Sequence, residues 1–564
     1  MSATSGAHGD AGAPPRTRAD QDDAVRIALC WGLLALAWFA PLGMRALSGP
    51  DEGRYATIAL AMLRSGDWIT PRLNGFLYFE KPPLQYWMGA ASLGLFGVNE
   101  FAARLWPALT GFLAIVAVSA TAHRLWGRQA GRYGALAMAG TVWVIANAHF
   151  LSLDMGLAFF LTLVLCGFLL AQRDEASAIE RRNAMWLAWA AMAAATLSKG
   201  LVGVLIPGAV LVLYSLVERQ WTMWRRMHWV SGLALYFALA APWFVAVSLR
   251  NPGFVDFFFV REHFQRYLTE EARRTGPLWY FVPYLLVGLL PWTSLLPSLA
   301  GLGMRREPAR GLQPQRLLLA WAVFVFAFFS LSGSKLPSYI LPMFPALALL
   351  LALRLERIDA ARLARHLLTP LAAGLALAGA ALAAGRYATT DTPAETLRPL
   401  AIALGAAGAL VTGAAALAAH ALRRQRKPLA VLLLSGAAVA AAMLTMIGHD
   451  GLGRLKSSKA VAAALAPRLV PGAEVFSVAM YDQTFPFYLR RDVTLVQYTD
   501  EFAFGQQRDP QRWIPTVEEF AARWRTLAHA AAMMAPDTFD ALQRSGLPMS
   551  IVYRDARRVV VLRP

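Results

Sequence analysis

Long apolar stretches separated by short polar segments occupy most of the chain up to residue 447. Stretches such as residues 27–44 and 156–171 have the length that crosses about 30 Å of hydrocarbon as helices. The pattern predicts a polytopic α-helical membrane protein with about thirteen transmembrane helices. The apolar stretch at residues 84–97 is short, and a full crossing there would move every later basic loop to the other side. We therefore expect a juxtamembrane helix at that point.

The pattern changes after residue 447. Runs typical of strands, at residues 473–481, 493–498, 549–554 and 558–563, alternate with runs typical of helices, at residues 458–469, 516–532 and 537–546. Such alternation predicts a soluble α/β domain over residues 448–564. The polar residues 1–24 are expected to be a disordered N-terminus, which leaves residues 25–447 as the membrane domain.

Composition and charge support this division. The chain is 57% hydrophobic and only 16% charged, which is too apolar for a soluble protein of 564 residues. Its formal net charge of +19 would also suit a nucleic-acid-binding protein. The basic residues, however, lie in short clusters between apolar runs, as they do in cytoplasmic loops. We expect no nucleic acid as a partner, a cytoplasmic N-terminus, and an external C-terminal domain.

Two other features are structural in our interpretation. Residues 366–447 consist largely of Ala, Gly and Leu, which lets membrane helices approach closely, so this segment is expected to be scaffold. The two cysteines, Cys30 and Cys166, both lie in predicted spans. We therefore expect neither a disulfide framework nor a cysteine metal site.

Charged residues gather on the predicted external side. The first external segment, residues 48–100, contains Asp51 at a predicted helix start, then Arg54, and then Glu80 and Lys81 before two prolines. Asp51 is a plausible helix N-cap. Capping and ordinary interfacial charge are the alternative to a reactive site.

Further candidates follow along the chain. Asp154 and Lys199 lie at the ends of apolar runs, where an ionisable group is costly unless it is paired or wet. The alternative for Lys199 is that it extends to the membrane surface without a function. The external loop at residues 249–280 joins arginines with many aromatic residues, a combination that suits phosphate and an interfacial lipid headgroup. The remaining candidates are Arg261, Glu262, His263, Arg266, Lys335 and Tyr339.

Nucleotide-binding and hydrolase signatures are absent from the sequence: it contains no Walker loop, GxGxxG, HExxH or nucleophile elbow. An enzyme working from the external face would therefore need a donor that is already in the membrane. A polyprenyl-phosphate sugar meets that need.

A series of motifs points to one superfamily. In chain order they are PDEGRYA, FEKPPL, GVNEFAARL, LDMGLAFF, LSKG, REHFQRY and SGSKLPSYILPMFPALAL. Their order resembles bacterial membrane glycosyltransferases of the GT-C fold, which are relatives of the protein O-mannosyltransferases. Within that superfamily the chain is most similar to the lipid A aminoarabinose transferase family. The resemblance covers residues 27–355, and beyond them it rests on the architecture of many spans followed by an α/β domain.

The resemblance implies a reaction and a location. A 4-amino-4-deoxy-L-arabinose group would move from undecaprenyl phosphate to lipid A phosphates on the periplasmic face of the bacterial inner membrane, giving resistance to polymyxin. The expected partners are the undecaprenyl-phosphate-linked sugar donor, the lipid A acceptor and membrane lipids, with the chain acting as a monomer. A rival enzyme would use a protein hydroxyl or another glycan as acceptor, and a rival of another class is a lipid transporter or flippase.

The resemblance also assigns roles to residues. It makes Asp51 central to catalysis, with Lys81 as a further catalytic candidate; Asp154 joins them because of its position at the end of an apolar run. Phosphate binding is expected of Arg54, Lys199, Arg261, Arg266, Lys335 and Tyr339. A divalent metal is a possible cofactor by ligand type, on Glu80, Glu262 and His263, although their spacing matches no fixed metal motif.

Family members invert the anomeric centre, so a single direct displacement is expected. A phosphate acceptor is already anionic and hardly needs a general base. Asp51 would then orient the acceptor, bind the ammonium group of the sugar, or assist a metal.

Overall fold

The computed structural model describes residues 18–259, 275–307, 311–389 and 392–564. Helix α1 begins at Arg18, earlier than the boundary at residue 25 taken from the sequence. Adding a residue to an existing helix fixes one residue for one new hydrogen bond, so a polar segment can extend a membrane helix into water. The rest of the expected disordered N-terminus, residues 1–17, lies outside the described residues.

Helices form most of the region before residue 449. The first ten are α1 Arg18–Phe39, α2 Asp51–Ser65, α3 Leu84–Phe96, α4 Glu100–Trp126, α5 Arg128–Ala139, α6 Val142–Ala148, α7 Asp154–Ala171, α8 Ala178–Lys199, α9 Val202–Glu218 and α10 Trp229–Arg250. The later ones are Phe281–Gly288, Leu296–Gly303, Pro314–Leu331, Phe344–Arg357, Ala360–Arg365, Leu368–Ala383, Ala394–Arg423 and Lys427–Gly448.

The number of spans depends on how short or broken helices are counted. Within the described ranges, nine helices are long and apolar enough to cross a membrane, and one pair bent by 109° would make a tenth. Three further segments pack among them but do not meet that criterion. The first is α5 together with α6, the second is α8, and the third is α9. A count of thirteen requires all three to cross and stays a prediction. Helix α3 has 13 residues and is about 20 Å long, too short for a full crossing.

Small residues bring the last membrane helices into close contact, as the composition predicted. A Cβ atom on Gly374 would lie 2.4 Å from the Thr412 hydroxyl and 2.9 Å from the Gly408 carbonyl oxygen. A side chain larger than hydrogen would therefore force the two helices apart. The more central helix Phe344–Arg357 is almost entirely buried among its neighbours.

The C-terminal domain is built on one mixed sheet. The strands are β3 Glu474–Val478, β4 Thr494–Val496, β5 Trp513–Ile514, β6 Ala530–Met534, β7 Ser550–Arg554 and β8 Val559–Leu562. Their order in the sheet is β5-β4-β3-β6-β8-β7. Strands β5, β4, β3 and β6 are parallel, and β8 is antiparallel to both of its neighbours, β6 and β7. The helices are Asp450–Leu455, Lys459–Leu465, Phe485–Leu489, Ala503–Arg508, Val517–Thr526 and Pro536–Arg544. The two earlier strands, β1 Arg72–Leu73 and β2 Phe76–Leu77, form a hairpin between α2 and α3.

The sequence interpretation misplaced one central strand. Residues 516–532 have a helical pattern, yet the helix ends at Thr526 and Ala530–Met534 form β6. Every residue of β6 is buried, between β3 and β8. A strand buried on both faces loses its alternation of polar and apolar residues, and its alanines resemble a helix in sequence.

The α/β domain rests on α2, α3 and the hairpin. The Thr57 hydroxyl donates to the Gln483 carbonyl oxygen at 3.0 Å, and a Cβ on Gly53 would lie 2.5 Å from the backbone of Gln483. Asn74, in a left-handed conformation, exchanges two hydrogen bonds of 2.7 and 2.8 Å with the Val493 backbone. One buried apolar cluster includes residues of α2, α3 and the domain. The domain therefore covers this end of the membrane helices.

Candidate active site

A fully buried ion pair fixes the start of α2. Glu52 and Arg104 are both 0% exposed, and two hydrogen bonds of 2.7 Å join the carboxylate to the guanidinium. Arg104 also donates to the carbonyl oxygens of Leu42, Arg45 and Ala46, so all five of its N–H groups have acceptors. Arg104 thereby attaches the segment before α2 to the N-terminal part of α4.

Asp51 is held beside this pair. Pro50 takes the N-cap position and Asp51 is the first helical residue, without a side-chain capping bond, so the predicted capping role is wrong. Its carboxylate instead accepts from Arg54 Nη1 at 2.7 Å and remains 38% exposed. Asp51 thus combines a fixed cation with access for a substrate.

Arg54 also contacts the C-terminal domain. Its Nε donates to Glu501, whose other carboxylate oxygen accepts from Gln483 Nε2 at 2.9 Å. The Glu501 side chain is only 5% exposed. Burial raises the pKa of Glu501, and the Arg54 cation offsets this in part. The α/β domain therefore supplies a carboxylate to the residues around Asp51.

A second ion pair links the ends of α7 and α8. Lys199 Nζ donates to Asp154, and the Ser338 hydroxyl donates to the other Asp154 oxygen at 2.7 Å. Lys199 also lies 4.6 Å from the centre of the Tyr339 ring. The Asp154 side chain is 13% exposed. Lys199 is thus part of a network with Asp154, Ser338 and Tyr339, whereas the alternative had it extending alone to the membrane surface.

Buried tyrosines fill the space around Arg54. Burial raises the pKa of Tyr55, with the carboxylate of Asp51 adding to the effect and that of Asp154 contributing less. Both carboxylates therefore act on one hydroxyl, which places the two ion pairs in one neighbourhood. Burial also raises the pKa of Tyr78 and Tyr86. The Tyr86 hydroxyl has no hydrogen-bond partner within the described part of the chain.

The other described candidates include Glu80, Lys81 and Lys335. Lys81 Nζ donates to the Glu80 carbonyl oxygen at 2.8 Å, and the negative charge of Glu80 acts on Tyr78 and on Glu501. Lys335 is 6% exposed and donates to the Ser332 carbonyl oxygen at 2.7 Å, within its own turn.

The proposed metal ligands and two arginines cannot be placed together. Arg261, Glu262, His263 and Arg266 lie outside the described residues. Within the described ranges no group of three His, Cys, Asp or Glu side chains could hold a metal ion. Glu80 is then the only described member of the proposed set.

Sequence reasoning missed the residues that support the site. Arg104 lies in the motif GVNEFAARL. A charged residue near the start of a predicted span is a sign of function that could have marked it as a candidate. Glu501 and Gln483 carried no such signal, because their partners on α2, Arg54 and Thr57, are more than four hundred positions away. Ser338 adjoins the predicted Tyr339, but a serine in a turn is too common to single out.

Two family models match the chain. One, described as dolichyl-phosphate-mannose-protein mannosyltransferase, matches residues 31–258, and another, described as aminoarabinose transferase C-terminal domain, matches residues 461–563. The chain is 34% identical over 336 residues to the undecaprenyl phosphate-alpha-4-amino-4-deoxy-L-arabinose arabinosyl transferase of Erwinia tasmaniensis, and 36% over 333 residues to that of Pseudomonas paraeruginosa. These matches span 58% and 57% of this chain but only 59% and 58% of those relatives.

Solved structures extend the comparison to nearly the whole chain. The crystal structure of ArnT from Cupriavidus metallidurans bound to undecaprenyl phosphate has a TM-score of 0.92 at 38% identity, covering 96% of this chain and 98% of that one. The Archaeoglobus fulgidus oligosaccharyltransferase, at 13% identity and a TM-score of 0.50, shares only the fold. Fold and site together define a polytopic membrane glycosyltransferase of the GT-C fold. Within that class the chain belongs to the bacterial aminoarabinose transferase family.

Proposed function

We propose that this protein transfers 4-amino-4-deoxy-L-arabinose from undecaprenyl phosphate to phosphate groups of lipid A. The observation that carries the proposal is the pair of Asp–cation contacts, Asp51–Arg54 and Asp154–Lys199, at the end of the membrane helices that the α/β domain covers. Similarity over 96% of the chain to a relative solved with undecaprenyl phosphate supports the donor. The chain acts as a monomer in the bacterial inner membrane, with the site and the α/β domain on the periplasmic side.

The two carboxylates have different roles in this proposal. Both oxygens of Asp154 have partners, Lys199 and Ser338, so Asp154 holds Lys199 in position over the Tyr339 ring. Asp51 is more exposed, and the one ion pair described for it involves a single carboxylate oxygen. Asp51 is therefore the carboxylate that meets a substrate, where it orients the acceptor phosphate or binds the ammonium group of the sugar.

The cations stabilise the leaving group. An acceptor phosphate oxygen attacks C1 of the sugar, the bond from C1 to the donor phosphate breaks, and undecaprenyl phosphate leaves with an added negative charge. Fixed positive charges near that oxygen lower the barrier because they need no rearrangement as the charge develops. Lys81, Lys199 and Arg54 are the described candidates for this role, and Arg266, which lies outside the described residues, is a further one.

The test is mass spectrometry of lipid A. The host is a polymyxin-sensitive bacterium that makes the donor but lacks a transferase, and it expresses the wild-type chain, Asp51→Asn or Asp154→Asn. Wild type should add one aminoarabinose mass, and both variants should lose the modification while remaining in the membrane. Unmodified lipid A with wild-type protein present would instead favour a protein hydroxyl or another glycan as the acceptor. Near-normal transfer by Asp51→Asn would remove that residue from the mechanism.

A further inference from the structure

The Arg54 guanidinium is held from two sides by residues of two different domains. Its Nη1 donates to Asp51, three residues earlier on the same helix. Its Nε donates to Glu501 of the α/β domain. The Arg54 side chain is 15% exposed, so little solvent competes with these contacts.

Glu501 is itself fixed. One carboxylate oxygen accepts from Arg54 and the other from Gln483 Nε2 at 2.9 Å, and Gln483 is tied to α2 through the bond from Thr57 to its carbonyl oxygen. With both oxygens engaged and 5% of the side chain exposed, Glu501 is poorly placed to touch a substrate. Its effect on a reaction would pass through Arg54.

We propose that Glu501 is a positioning residue for the transfer reaction: it fixes the Arg54 guanidinium, and through it the carboxylate of Asp51. This gives the C-terminal domain a part in the chemistry, and it rests on the proposed function. An arginine with a partner on one side only can rotate about its flexible stem. With partners on both sides it keeps one orientation, and misplacing a reacting group by about 1 Å can cost about 100-fold in rate.

Interdomain docking in general is the competing explanation, and a second ion pair between the two domains serves as the control. Lys459 of the α/β domain donates to Glu100, at the start of α4, at 2.6 Å. The Lys459 side chain is 55% exposed and the Glu100 side chain 11% exposed. The contacts described for Lys459 do not include Asp51 or Arg54. Lys459→Gln therefore weakens docking without touching the Arg54 network.

The experiment is steady-state transfer by the purified full-length protein in detergent, with the lipid-linked aminoarabinose donor and lipid A. Glu501→Gln keeps the size of the side chain but removes its charge, and should lower kcat by about 10- to 100-fold with KM changed less than about threefold. Glu501→Asp keeps the charge and should recover part of kcat. Lys459→Gln should stay within about twofold of wild type, and thermal melting should show all three variants folded.

Each outcome has a definite meaning. A Glu501→Gln variant with wild-type kcat overturns the positioning role and leaves the proposed function intact. Equal losses in Glu501→Gln and Lys459→Gln, or a loss confined to KM, also overturn it, because docking or substrate binding would then explain the effect. If Glu501→Gln does not fold, Gln483→Leu is measured in its place. A positioning role for Glu501 then requires Gln483→Leu to lower kcat, and an unchanged kcat overturns it. A wild-type chain without turnover overturns the proposed function and this inference together.

Discussion

Replacing Glu52 with glutamine tests how the site is supported. Glu52→Gln keeps the shape of the side chain but leaves Arg104 as a buried cation without its counter-charge, since both side chains are 0% exposed. Removing one partner of a buried ion pair costs about 3–5 kcal/mol. The new amide group would also face N–H donors, because the Glu52 carboxylate accepts from Ser48, Leu151 and Arg104. We expect the free energy of unfolding to fall by about 3–5 kcal/mol.

The double variant Glu52→Leu/Arg104→Met separates this network from a simple ion pair. A buried pair can often be replaced by apolar residues at little cost. Here five backbone groups would lose their partners: the carbonyls of residues 42, 45 and 46 and the amides of residues 48 and 151. At about 1 kcal/mol or more for each unsatisfied buried group, the double variant should lose about 5 kcal/mol or more.

Denaturant unfolding of the purified protein in detergent, followed by tryptophan fluorescence, measures both variants against wild type. Arg523→Met is the control, because its ion pair with Glu474 is 49% and 31% exposed. Loss of an exposed pair should cost at most about 1 kcal/mol. A double variant within about 1 kcal/mol of wild type would refute the reasoning, since the backbone contacts of Arg104 would then contribute little.

Four other substitutions give distinct results. Lys199→Met leaves Asp154 without its cation and should lower turnover at least about tenfold in the transfer assay, whereas Ser338→Ala, which removes only a neutral donor, should cost less. Burial raises the pKa of Glu501 above 4.5, so the folded state binds a proton on this carboxylate more readily than the unfolded state does. The contribution of Glu501 to stability is therefore greatest below pH 4.5 and falls as the pH rises through the raised pKa. Glu501→Gln should remove that fall, which thermal melting from pH 4.5 to neutrality would measure. Asn74→Ala removes both bonds to the Val493 backbone and should weaken docking of the α/β domain by about 1–3 kcal/mol, seen as faster limited proteolysis.

The membrane character and the C-terminal α/β domain could both be predicted, because each depends on local hydrophobicity or periodicity. Asp51, Arg54, Asp154 and Lys199 were chosen as candidates, since an ionisable residue beside an apolar run is visible in the sequence. Which of them pair was not visible. The pairing of Asp154 with Lys199 depends on how α7 and α8 pack, and that information is not local.

Two failures have the same physical origin. Strand β6 was taken for helix because its burial on both faces comes from neighbours distant in the chain. Glu501 was missed because its only distinguishing property, a buried bond to Arg54, appears after the domains have docked.

The family resemblance also extends further than the sequence motifs indicated. The motifs ended at residue 355, whereas the C-terminal domain model matches residues 461–563.

The contact between Arg54 and Glu501 also sets a time order for biosynthesis. The two residues are 447 positions apart, so at about 5–20 residues per second a ribosome makes the second roughly 20 to 90 s after the first. During that interval every intervening membrane helix is inserted, and the last domain must then reach the side where Arg54 lies. The contact therefore forms only on chains whose insertion has been completed, and a truncated or misinserted chain lacks it.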